Sequence, residues 1–483
     1  MIAQDTHYGC QGGINMRAEP IMRGLRKAAE RPNLYDAAHL PDTWEAMTTE
    51  LKPPLSHEDA YIEAYRCLLC GGPHNPAPCT VACPADVDVA GFIGAIIDGD
   101  AVTSAGIIAS TNPLGGSCAR VCPTEELCEG ACVLNLQGQR PVDIARLQRY
   151  SMDQAEKVGD LLVPDKAPET GAKVAVVGAG PAGLAAASRL AELGHQVEVF
   201  DAFSNTGGLV RAAIAPYRQV FDPLPTETSR LLELGVSFHM GAELSPERVA
   251  ALGGEYDAVV LAIGMGEDST TGTPGSGLPG VWNSLPFIAA IKSGNFPEIS
   301  DHVVVVGGGN TAMDVAREAV RLGASKVTVV YRRTRDEMPA FWVEYDEAVE
   351  EGVQFAWLTN PIRYEGQGHL ERVVCQRMEL SEPDESGRRR PVPIPGEELV
   401  IESGTVVEAI GQRPRAGLLA GVDGARFEGG RLVIDPYSGR IGESAYFGAG
   451  DAANGGATVV EAVRLGKIAA EGAHEQIMER SRR

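Results

Sequence analysis

Cysteine is the residue type whose spacing carries the most chemical information in this chain. Eight of the ten cysteines lie within residues 67–132. They are Cys67, Cys70, Cys79, Cys83, Cys118, Cys122, Cys128 and Cys132. Thiolates at such short spacing can converge on one centre, and iron–sulfur runs often end in Cys-Pro, which occurs here at Cys83 and at Cys122. The run predicts two [4Fe–4S] clusters, with zinc or a store of thiols as alternatives.

The other two cysteines stand alone in the sequence. Cys10 lies near the N-terminus and Cys375 far from the cluster of eight. We interpret them as a terminal cysteine and a packed cysteine, without metal chemistry. Residues 1–60 are polar and carry no recognisable chemistry.

A glycine-rich turn follows the apolar, β-branched run Lys173–Val177, which is typical of a buried parallel strand. The turn contains Gly178, Gly180, Pro181, Ala182 and Gly183. A helix to about Leu193 and a strand, Gln196–Phe200, should follow, and Asp201 stands 23 residues after the first glycine. The glycines let the backbone approach a pyrophosphate at a helix N-terminus, and the acid can accept from ribose hydroxyls. The complete unit predicts a dinucleotide site.

The same pattern recurs after the predicted strand His302–Val306. Its turn contains Gly307, Gly309, Asn310, Thr311 and Ala312. The second strand of this unit, Lys326–Val330, leads not to an acid but to Arg332, Arg333 and Arg335. Guanidinium groups bind a 2′-phosphate that an acid would repel. The second site therefore favours NADP(H), with NAD(H) as the alternative. The arginines could also be a solvated basic turn with no role in binding.

Further segments are typical of a flavoprotein. Two apolar strands are predicted within 256–264 and 405–411, and the strand at 445–448 leads to Gly450 and Asp451. A helix is expected from Thr458 to Ala470. The Asp451 carboxylate can bond a ribitol hydroxyl, and the helix N-terminus can offset negative charge on a reduced flavin. Because these segments return after the second nucleotide unit, we expect the NAD(P) domain to be inserted into the FAD domain.

Composition limits the partners and the compartment. The 483 residues suggest about three domains, and the formal net charge of −23 disfavours nucleic acid and anionic membrane surfaces. No apolar stretch is long enough for a transmembrane helix, and the N-terminus lacks a secretory signal. The sequence predicts a cytoplasmic protein whose cysteines stay reduced.

Together these motifs resemble a known family. It is the FAD and iron–sulfur electron-entry module shared by the glutamate synthase small subunit and the N-terminal half of dihydropyrimidine dehydrogenase. The resemblance covers about residues 60–475. It rests on Asn112-Pro-Leu-Gly115, Val121-Cys-Pro-Thr-Glu125, Pro141-Val-Asp-Ile144, Gly207-Gly-Leu209, Pro216-Tyr-Arg218 and Met338-Pro-Ala340.

The resemblance implies interleaved cluster ligands. One cluster would use Cys67, Cys70, Cys79 and Cys132. The other would use Cys83, Cys122, Cys128 and Gln148, with Cys118 as a competing fourth ligand in place of Gln148. The resemblance also implies that Gly208, Leu209 and Arg218 lie near FAD and that Arg332, Arg333 and Arg335 meet the nucleotide phosphate.

Thioredoxin reductases share paired FAD and NADP domains, but they need a C-x-x-C disulfide in the nucleotide domain. Residues 160–483 contain only Cys375. Disulfide reduction of that kind is therefore excluded.

We expect a helical iron–sulfur domain followed by two α/β Rossmann-like domains. The predicted domains are 1–165 with two [4Fe–4S] clusters, 166–290 with 410–483 for FAD, and 291–409 for NAD(P)H. The chain would be an electron-transfer flavoprotein subunit that exchanges electrons with a partner redox subunit carrying the terminal substrate site. The partner could be that of a glutamate synthase or of a two-subunit dihydropyrimidine dehydrogenase, and the alternative from another class is a non-catalytic redox scaffold.

Overall fold

The described residues before the first sheet are largely helical. The computed structural model describes residues 47, 49–72, 75–383 and 389–482, so Cys10 lies outside the described residues. The helices of this part are α1 (His57–Ala64), α2 (Pro78–Val81), α3 (Val89–Ile97), α4 (Ala101–Thr111), α5 (Gly115–Val121) and α6 (Ile144–Lys157). Cys79 lies within α2 and Cys118 within α5, and the other cysteines of the group lie in the segments between helices.

Side-chain caps begin three of these helices. Ser56, Asp88 and Asp100 each accept a hydrogen bond from the backbone N–H three residues later, at 3.0, 3.0 and 2.9 Å. Such caps satisfy N–H groups that have no partner within the helix. They fix where α1, α3 and α4 begin, and thereby the directions in which the connecting loops leave.

Residues 173–261 alternate strands with helices. The strands are β1 (Lys173–Val177), β2 (Gln196–Asp201), β3 (Ser237–Met240) and β4 (Ala258–Leu261). The helices are α7 (Pro181–Glu192), α8 (Leu209–Ala213), α9 (Leu224–Glu233) and α10 (Pro246–Leu252). β1 pairs in parallel with β2 and with β4, and β2 pairs in parallel with β3. β4 is buried at every position, as a central parallel strand should be.

Residues 267–408 form a second parallel sheet with an antiparallel layer. Their elements are β5 (Glu267–Asp268), β6 (Val281–Asn283), α11 (Ser284–Lys292), β7 (His302–Val306), α12 (Asn310–Arg321), β8 (Lys326–Tyr331), α13 (Trp342–Glu350), β9 (Gln354–Trp357), β10 (Thr359–Glu365), β11 (Arg372–Leu380), β12 (Pro391–Glu402) and β13 (Thr405–Glu408). The parallel sheet has the order β6-β13-β7-β8-β9, and β10-β11-β12 form a three-stranded sheet. The buried Cys375 lies on β11 within an apolar core cluster.

The chain then returns to the first sheet. The last elements are β14 (Gln412–Arg413), β15 (Phe427–Glu428), β16 (Arg431–Leu432), β17 (Tyr446–Gly448), α14 (Asp451–Asn454) and α15 (Val459–Ser481). β17 pairs in parallel with β4, which gives the first sheet the order β17-β4-β1-β2-β3. β14 pairs with β5, so the outgoing and returning connections lie side by side.

The last helix is longer than the sequence suggested. We expected it to end at Ala470, but α15 continues to Ser481. Ala470, Ala473 and Ile477 keep one face buried at helical spacing, and no proline interrupts the segment. The extended helix packs along α7, and none of the helices in the described ranges has the length and apolar run needed to cross a bilayer.

The helical part and the first sheet share one hydrophobic core. That core includes Phe92 and Leu147 from the helices before the sheet, Val176 from β1 and Val463 from α15. The second sheet has separate apolar clusters on its two faces. The cysteine-bearing helices therefore fold against the first sheet as one packed unit.

The closest approach between α7 and α15 occurs at Gly466. A Cβ atom at this position would lie 2.2 Å from the carbonyl oxygen of Ala182. Gly183, one residue further on α7, would place a Cβ only 1.8 Å from the carbonyl oxygen of Gly178. Both glycines are needed because helix and turn backbones touch there.

We predict that Gly466→Ala lowers the free energy of unfolding by about 1–3 kcal/mol, because the added methyl group overpacks the contact with α7. Gly106→Ala is the matched control, since Gly106 is also inside a helix but has open space around its Cβ position. Alanine is the better helix former by ~1 kcal/mol, so Gly106→Ala should be neutral or stabilising. Urea unfolding followed by circular dichroism measures both variants, and an unchanged midpoint for Gly466→Ala would contradict the prediction.

Candidate functional site

Four of the predicted ligands line one cavity in the helical part, which we call cavity 1. They are Cys67, Cys70, Cys79 and Cys132. Cys67 follows α1, Cys79 lies within α2, and Cys132 precedes a short 3-10 helix at Val133–Gln137. Residues more than 60 positions apart therefore meet at this cavity, around which the empty space, including the part open to solvent, is ≈ 380 Å³.

The other predicted set lines a second cavity, which we call cavity 2. Its lining includes Cys83, Cys122, Cys128 and Gln148, together with Cys118. The empty space around it, ≈ 370 Å³, nearly equals that around cavity 1. The structure thus groups the cysteines into the two interleaved sets that the resemblance implied, while both Gln148 and Cys118 face the same space.

The side chain of Gln148 has a defined orientation. Its Nε2 donates a 2.7 Å hydrogen bond to the carbonyl oxygen of Gly115. A carbonyl only accepts, so this contact fixes the nitrogen and leaves Oε1 as the remaining polar atom of the amide. Cys118 is 98% buried and also packs within the hydrophobic core. Among the described residues, no hydrogen-bond donor is recorded for Gln148 Oε1, so this oxygen is available to a metal.

Burial favours the uncharged thiol form of these cysteines over the thiolate. Burial, together with the neighbouring thiols, raises the pKa of Cys79 to about 11, and burial also raises the pKa of Cys67 and Cys83. Metal binding replaces the thiol protons and stabilises the thiolates. No three His, Cys, Asp or Glu side chains in the described ranges converge on a single ion. A four-iron cluster gives each of its four ligands its own iron, and each cavity offers a predicted set of four ligands, so the donor sets of the two cavities fit such clusters.

A lysine outside the predicted site lies next to cavity 2. Lys52 Nζ donates to the carbonyl oxygen of Cys122 at 3.3 Å and to Thr124 Oγ1 at 3.1 Å, and lies 3.5 Å from Glu125 Oε1. Burial lowers the pKa of Lys52, but Glu125 and nearby carboxylates outweigh it and raise the pKa above its usual value. Burial likewise raises the pKa of Glu129 to about 7. Sequence analysis missed Lys52 because it stands in a polar segment with no motif.

Helix α15 connects cavity 2 with the first sheet. Val460, in its first turn, lines cavity 2. Further along, Lys467 Nζ donates to the carbonyl oxygens of Ala85 at 3.1 Å and Thr111 at 3.0 Å, both in the helical part. Cavity 2 is thus the one that adjoins the helix beginning at the predicted flavin segment.

The first glycine turn has the geometry of a dinucleotide site. Gly178 has φ +107°, and a Cβ there would lie 2.2 Å from the Ala262 carbonyl oxygen. Gly180 caps α7, whose first residue is Pro181. Asp201 accepts backbone hydrogen bonds from Ala179 at 2.6 Å and Phe203 at 2.8 Å. A carboxylate has about four acceptor positions, so Asp201 can brace the turn and still accept from ribose.

Other predicted flavin residues surround this turn. Gly208 precedes Leu209, the first residue of α8. A Cβ atom at Gly208 would lie 3.0 Å from the Cα of Gly180. Gly450 has φ +71°, and a Cβ there would lie 2.7 Å from the Ala182 Cβ. These close approaches bring the segments before α8 and α14 against the first glycine turn.

The two remaining flavin residues lie where β17 passes into α15. Asp451 opens α14, and burial raises its pKa. Thr458 caps α15 by accepting from the Glu461 N–H at 3.3 Å. Asp451 and Thr458 therefore stand at the N-termini of two successive helices that follow β17 of the first sheet.

Arg218 has a partner set that the sequence did not suggest. Its guanidinium pairs with Asp314 at 2.6 Å and with Glu344, which belong to α12 and α13. The neighbouring Tyr217 donates to Asp314 at 2.8 Å, and the Arg321 guanidinium lies 4.1 Å above the Tyr217 ring. This buried cluster joins the Pro216–Arg218 segment to the second sheet, and a contact of Arg218 with FAD remains a prediction.

The second glycine turn resembles the first. Gly307 has φ +142°, and a Cβ there would lie 2.1 Å from the Ala409 carbonyl oxygen. Gly309 caps α12, which starts with Asn310, Thr311 and the buried Ala312. Asn310 Oδ1 accepts from the Phe341 N–H at 3.0 Å, which holds the loop after β8 over this turn.

The three arginines after β8 differ in their surroundings. Arg332 is exposed. Arg333 Nε and Arg335 Nε and Nη2 are buried and have no hydrogen-bond partner among the described residues. The Arg335 guanidinium stacks 3.4 Å from the centre of the Trp342 ring and 4.4 Å from that of Tyr345. Unpaired buried donors next to a nucleotide turn fit an anionic group such as a 2′-phosphate.

Comparisons with known families assign the two halves of the chain. A family profile described as dihydropyrimidine dehydrogenase domain II, 4Fe-4S cluster, matches residues 45–160. A profile described as pyridine nucleotide-disulphide oxidoreductase matches residues 172–466. The first range contains the cysteines and Gln148 of both cavities, and the second contains both glycine turns.

Individual relatives match over most of the chain. A glutamate synthase [NADPH] small chain from Halomonas elongata is 35% identical over 438 residues, which are 88% of this chain and 92% of that protein. An NADP(+)-dependent formate dehydrogenase subunit beta from Moorella thermoacetica is 37% identical over 82% of this chain and 59% of its own length. The solved structure of Mycobacterium tuberculosis FprA in complex with NADPH aligns with a TM-score of 0.55 and 20% identity over 65% of this chain and 86% of FprA, a likeness of fold.

The chain is therefore an NAD(P)H-dependent oxidoreductase with the fold of the pyridine nucleotide-disulphide oxidoreductases. Within that class it belongs to the family of FAD and iron–sulfur modules formed by the glutamate synthase small subunit and the N-terminal part of dihydropyrimidine dehydrogenase.

We predict that Arg333→Met and Arg335→Met weaken binding of NADP⁺ by ~1.5–3 kcal/mol for each charged hydrogen bond lost, while binding of NAD⁺ changes little. Arg426→Met, which removes an arginine that is 65% exposed, is the control for the change in net charge. Titration of the FAD-loaded protein with each nucleotide measures the dissociation constants. Wild-type protein that binds NAD⁺ at least as tightly as NADP⁺ would overturn the assignment.

Proposed function

We propose that this chain is an electron-transfer subunit that passes electrons between NADPH and a partner redox subunit through FAD and two [4Fe–4S] clusters. The observation that carries the proposal is the pair of cysteine-lined cavities, one of which also contacts α15. Bound FAD supplies the exchange between two-electron hydride chemistry and one-electron transfer to clusters. A scaffold without redox function would not need buried thiols beside a flavin-type helix.

The proposed ligand sets follow the two cavities. Cavity 1 would hold a cluster on Cys67, Cys70, Cys79 and Cys132. Cavity 2 would hold a cluster on Cys83, Cys122, Cys128 and the Oε1 atom of Gln148. The orientation of the Gln148 amide supports Gln148 as the fourth ligand, and Cys118, which lines the same cavity, is the competing candidate.

The nucleotide sites are proposed on the two glycine turns. FAD would lie on the first turn, with its pyrophosphate at Gly180, Pro181, Ala182 and Gly183 and with Asp201 at the ribose. Asp451 and Thr458 would face the flavin end, and Gly208 and Leu209 would cover the turn. NADP(H) would lie on the second turn, where the buried donors of Arg333 and Arg335 favour the 2′-phosphate.

The strand order supports the nested domain arrangement. β17 completes the first sheet after the chain has formed the whole second sheet. We therefore propose that the NAD(P) domain, predicted as 291–409, is inserted into an FAD domain predicted as 166–290 and 410–483, behind a cluster domain ending at about residue 165. Because β6 (Val281–Asn283) pairs with β13 of the second sheet, we place the first boundary between these two domains before β6. The paired connections β5 and β14 would form the junction.

The names of the relatives support a partner subunit. The relatives named above are called a small chain and a beta subunit. We propose that the terminal substrate site lies on another chain, and that a glutamate synthase large subunit is the favoured class because the small chain from Halomonas matches over 92% of its own length. Purification of the native complex, followed by assay of the partner with NADPH as donor, tests this proposal.

Two clusters per chain predict a simple stoichiometry. Protein purified without oxygen should contain about eight iron and eight sulfide per chain, as two [4Fe–4S] clusters require. Zinc in place of iron and sulfide would contradict the cluster proposal. About four iron per chain would limit the protein to one cluster.

The fourth ligand of cavity 2 can be identified by substitution. An amide oxygen leaves the cluster one negative charge short of a four-cysteine cluster, which affects its reduction potential. We predict that Gln148→Cys lowers the midpoint potential of one cluster and that Cys118→Ser leaves both clusters in place. Redox titration monitored by electron paramagnetic resonance measures this. Loss of a cluster in Cys118→Ser, with no change in Gln148→Ala, would assign the ligand to Cys118.

A further inference from the structure

The segment 49–53 crosses the surface of the cluster part and holds Lys52 in place. Arg149 Nη1, on α6, donates to the Lys52 carbonyl oxygen at 2.7 Å, and Arg146 Nε donates to the Pro53 carbonyl oxygen at 2.7 Å. The Leu51 N–H donates to the carbonyl oxygen of Tyr217 at 3.0 Å. These contacts on both sides of Lys52 fix its backbone, so the direction of its side chain is set by structure.

The ammonium group of Lys52 lies against the backbone of cavity 2. It reaches the Cys122 carbonyl oxygen and the hydroxyl of Thr124, and both residues line that cavity. The side chain is 24% exposed. A charge in such a position is screened by solvent less than a surface charge, so its field reaches the space between the thiols.

Acidic groups surround the same lysine. Glu125 lies 3.5 Å from Lys52 Nζ, and Glu129 and Asp143 are close enough to interact electrostatically. Asp143 also pairs with Arg146 at 3.3 Å, whereas Lys52 is the cation recorded beside Glu125, so removing Lys52 leaves the charge of Glu125 less compensated on that side of cavity 2. On the opposite side, Lys467 bonds to Ala85 and Thr111 and remains in place.

We propose that Lys52 raises the reduction potential of the cluster in cavity 2 through its positive charge. The inference rests on the proposed function, because it concerns the cluster that adjoins the flavin domain. Reduction adds a negative charge to a cluster, and a nearby cation stabilises that charge. Lys52 is a positioning residue that touches the ligand-bearing backbone and forms no bond to iron. It makes this cluster a better acceptor for electrons leaving the flavin.

The test is a redox titration of the full chain, loaded with FAD and clusters and monitored by electron paramagnetic resonance. The signal of cavity 2 is the one that Gln148→Cys shifts, and the signal of cavity 1 is the internal reference. Lys52→Met should shift the midpoint of cavity 2 to lower potential, while Lys52→Arg should restore it. Lys166→Met removes the same charge at an exposed lysine that lines neither cavity and whose Nζ lies near Gly235, and it should leave both midpoints unchanged.

A second variant protects the test against loss of the cluster. Glu125→Gln removes the negative partner of Lys52, so it should shift the same midpoint upward. If Lys52→Met loses its cluster, the upward shift in Glu125→Gln supports the proposal and the lack of one overturns it. Intact clusters with an unchanged midpoint in Lys52→Met also overturn it. The iron content of the wild-type protein separates this failure from a failure of the proposed function. About eight iron per chain would leave the two-cluster function in place, whereas about four would contradict that function itself.

Discussion

The close contact between α15 and α7 is the constraint on which the two functional halves of this chain depend. Gly466 lies so near the backbone of Ala182 that no side chain fits between the helices. The same α15 begins at Thr458, lines cavity 2 through Val460 and bonds to the helical part through Lys467. A shift of this helix would move the flavin-type helix N-terminus and the wall of cavity 2 together. One helix therefore sets the spacing between the first glycine turn and the cysteines.

A second constraint joins the two parallel sheets. Arg218 reaches from the segment after α8 to Asp314 and Glu344, and Tyr217 lies under the guanidinium of Arg321. Removing one partner of a buried ion pair typically costs about 3–5 kcal/mol, because the other charge is left without compensation. This group of buried ion pairs therefore resists any rotation that would separate the Pro216–Arg218 segment from α12 and α13. Leu51, next to Lys52, donates a backbone hydrogen bond to the carbonyl oxygen of Tyr217, so the segment that carries Lys52 is bonded to this junction between the sheets.

The two cavities differ in their surroundings although their volumes are nearly equal. Cavity 2 is enclosed by Val460 of α15 and has Lys52 behind Cys122. Leu68, which lines cavity 1, is 56% exposed, and the exposed Val81 and Leu136 lie within four residues of Cys79 and Cys132. Of the two cavities, cavity 2 is the one whose lining includes a residue of α15.

The sequence by itself determined the features that depend on local chemistry. The positive φ of Gly178 and Gly307 and the strands before them are short-range requirements, so the two turns were predictable from glycine spacing. The strand and helix bounds around them agree within a few residues. The cysteine spacing predicted metal chemistry for the same reason, although the division into two sets came from resemblance.

Only the tertiary structure decided which distant groups meet. It brought Gln148 and Cys83 to the lining of the same cavity. It paired Arg218 with residues of the second-sheet part and stacked Arg335 on Trp342. It also brought Lys52, from a segment without a motif, to the backbone of Cys122, 70 residues later in the chain. Such contacts depend on how separate elements pack, and neither residue type nor spacing carries that information along a single sequence.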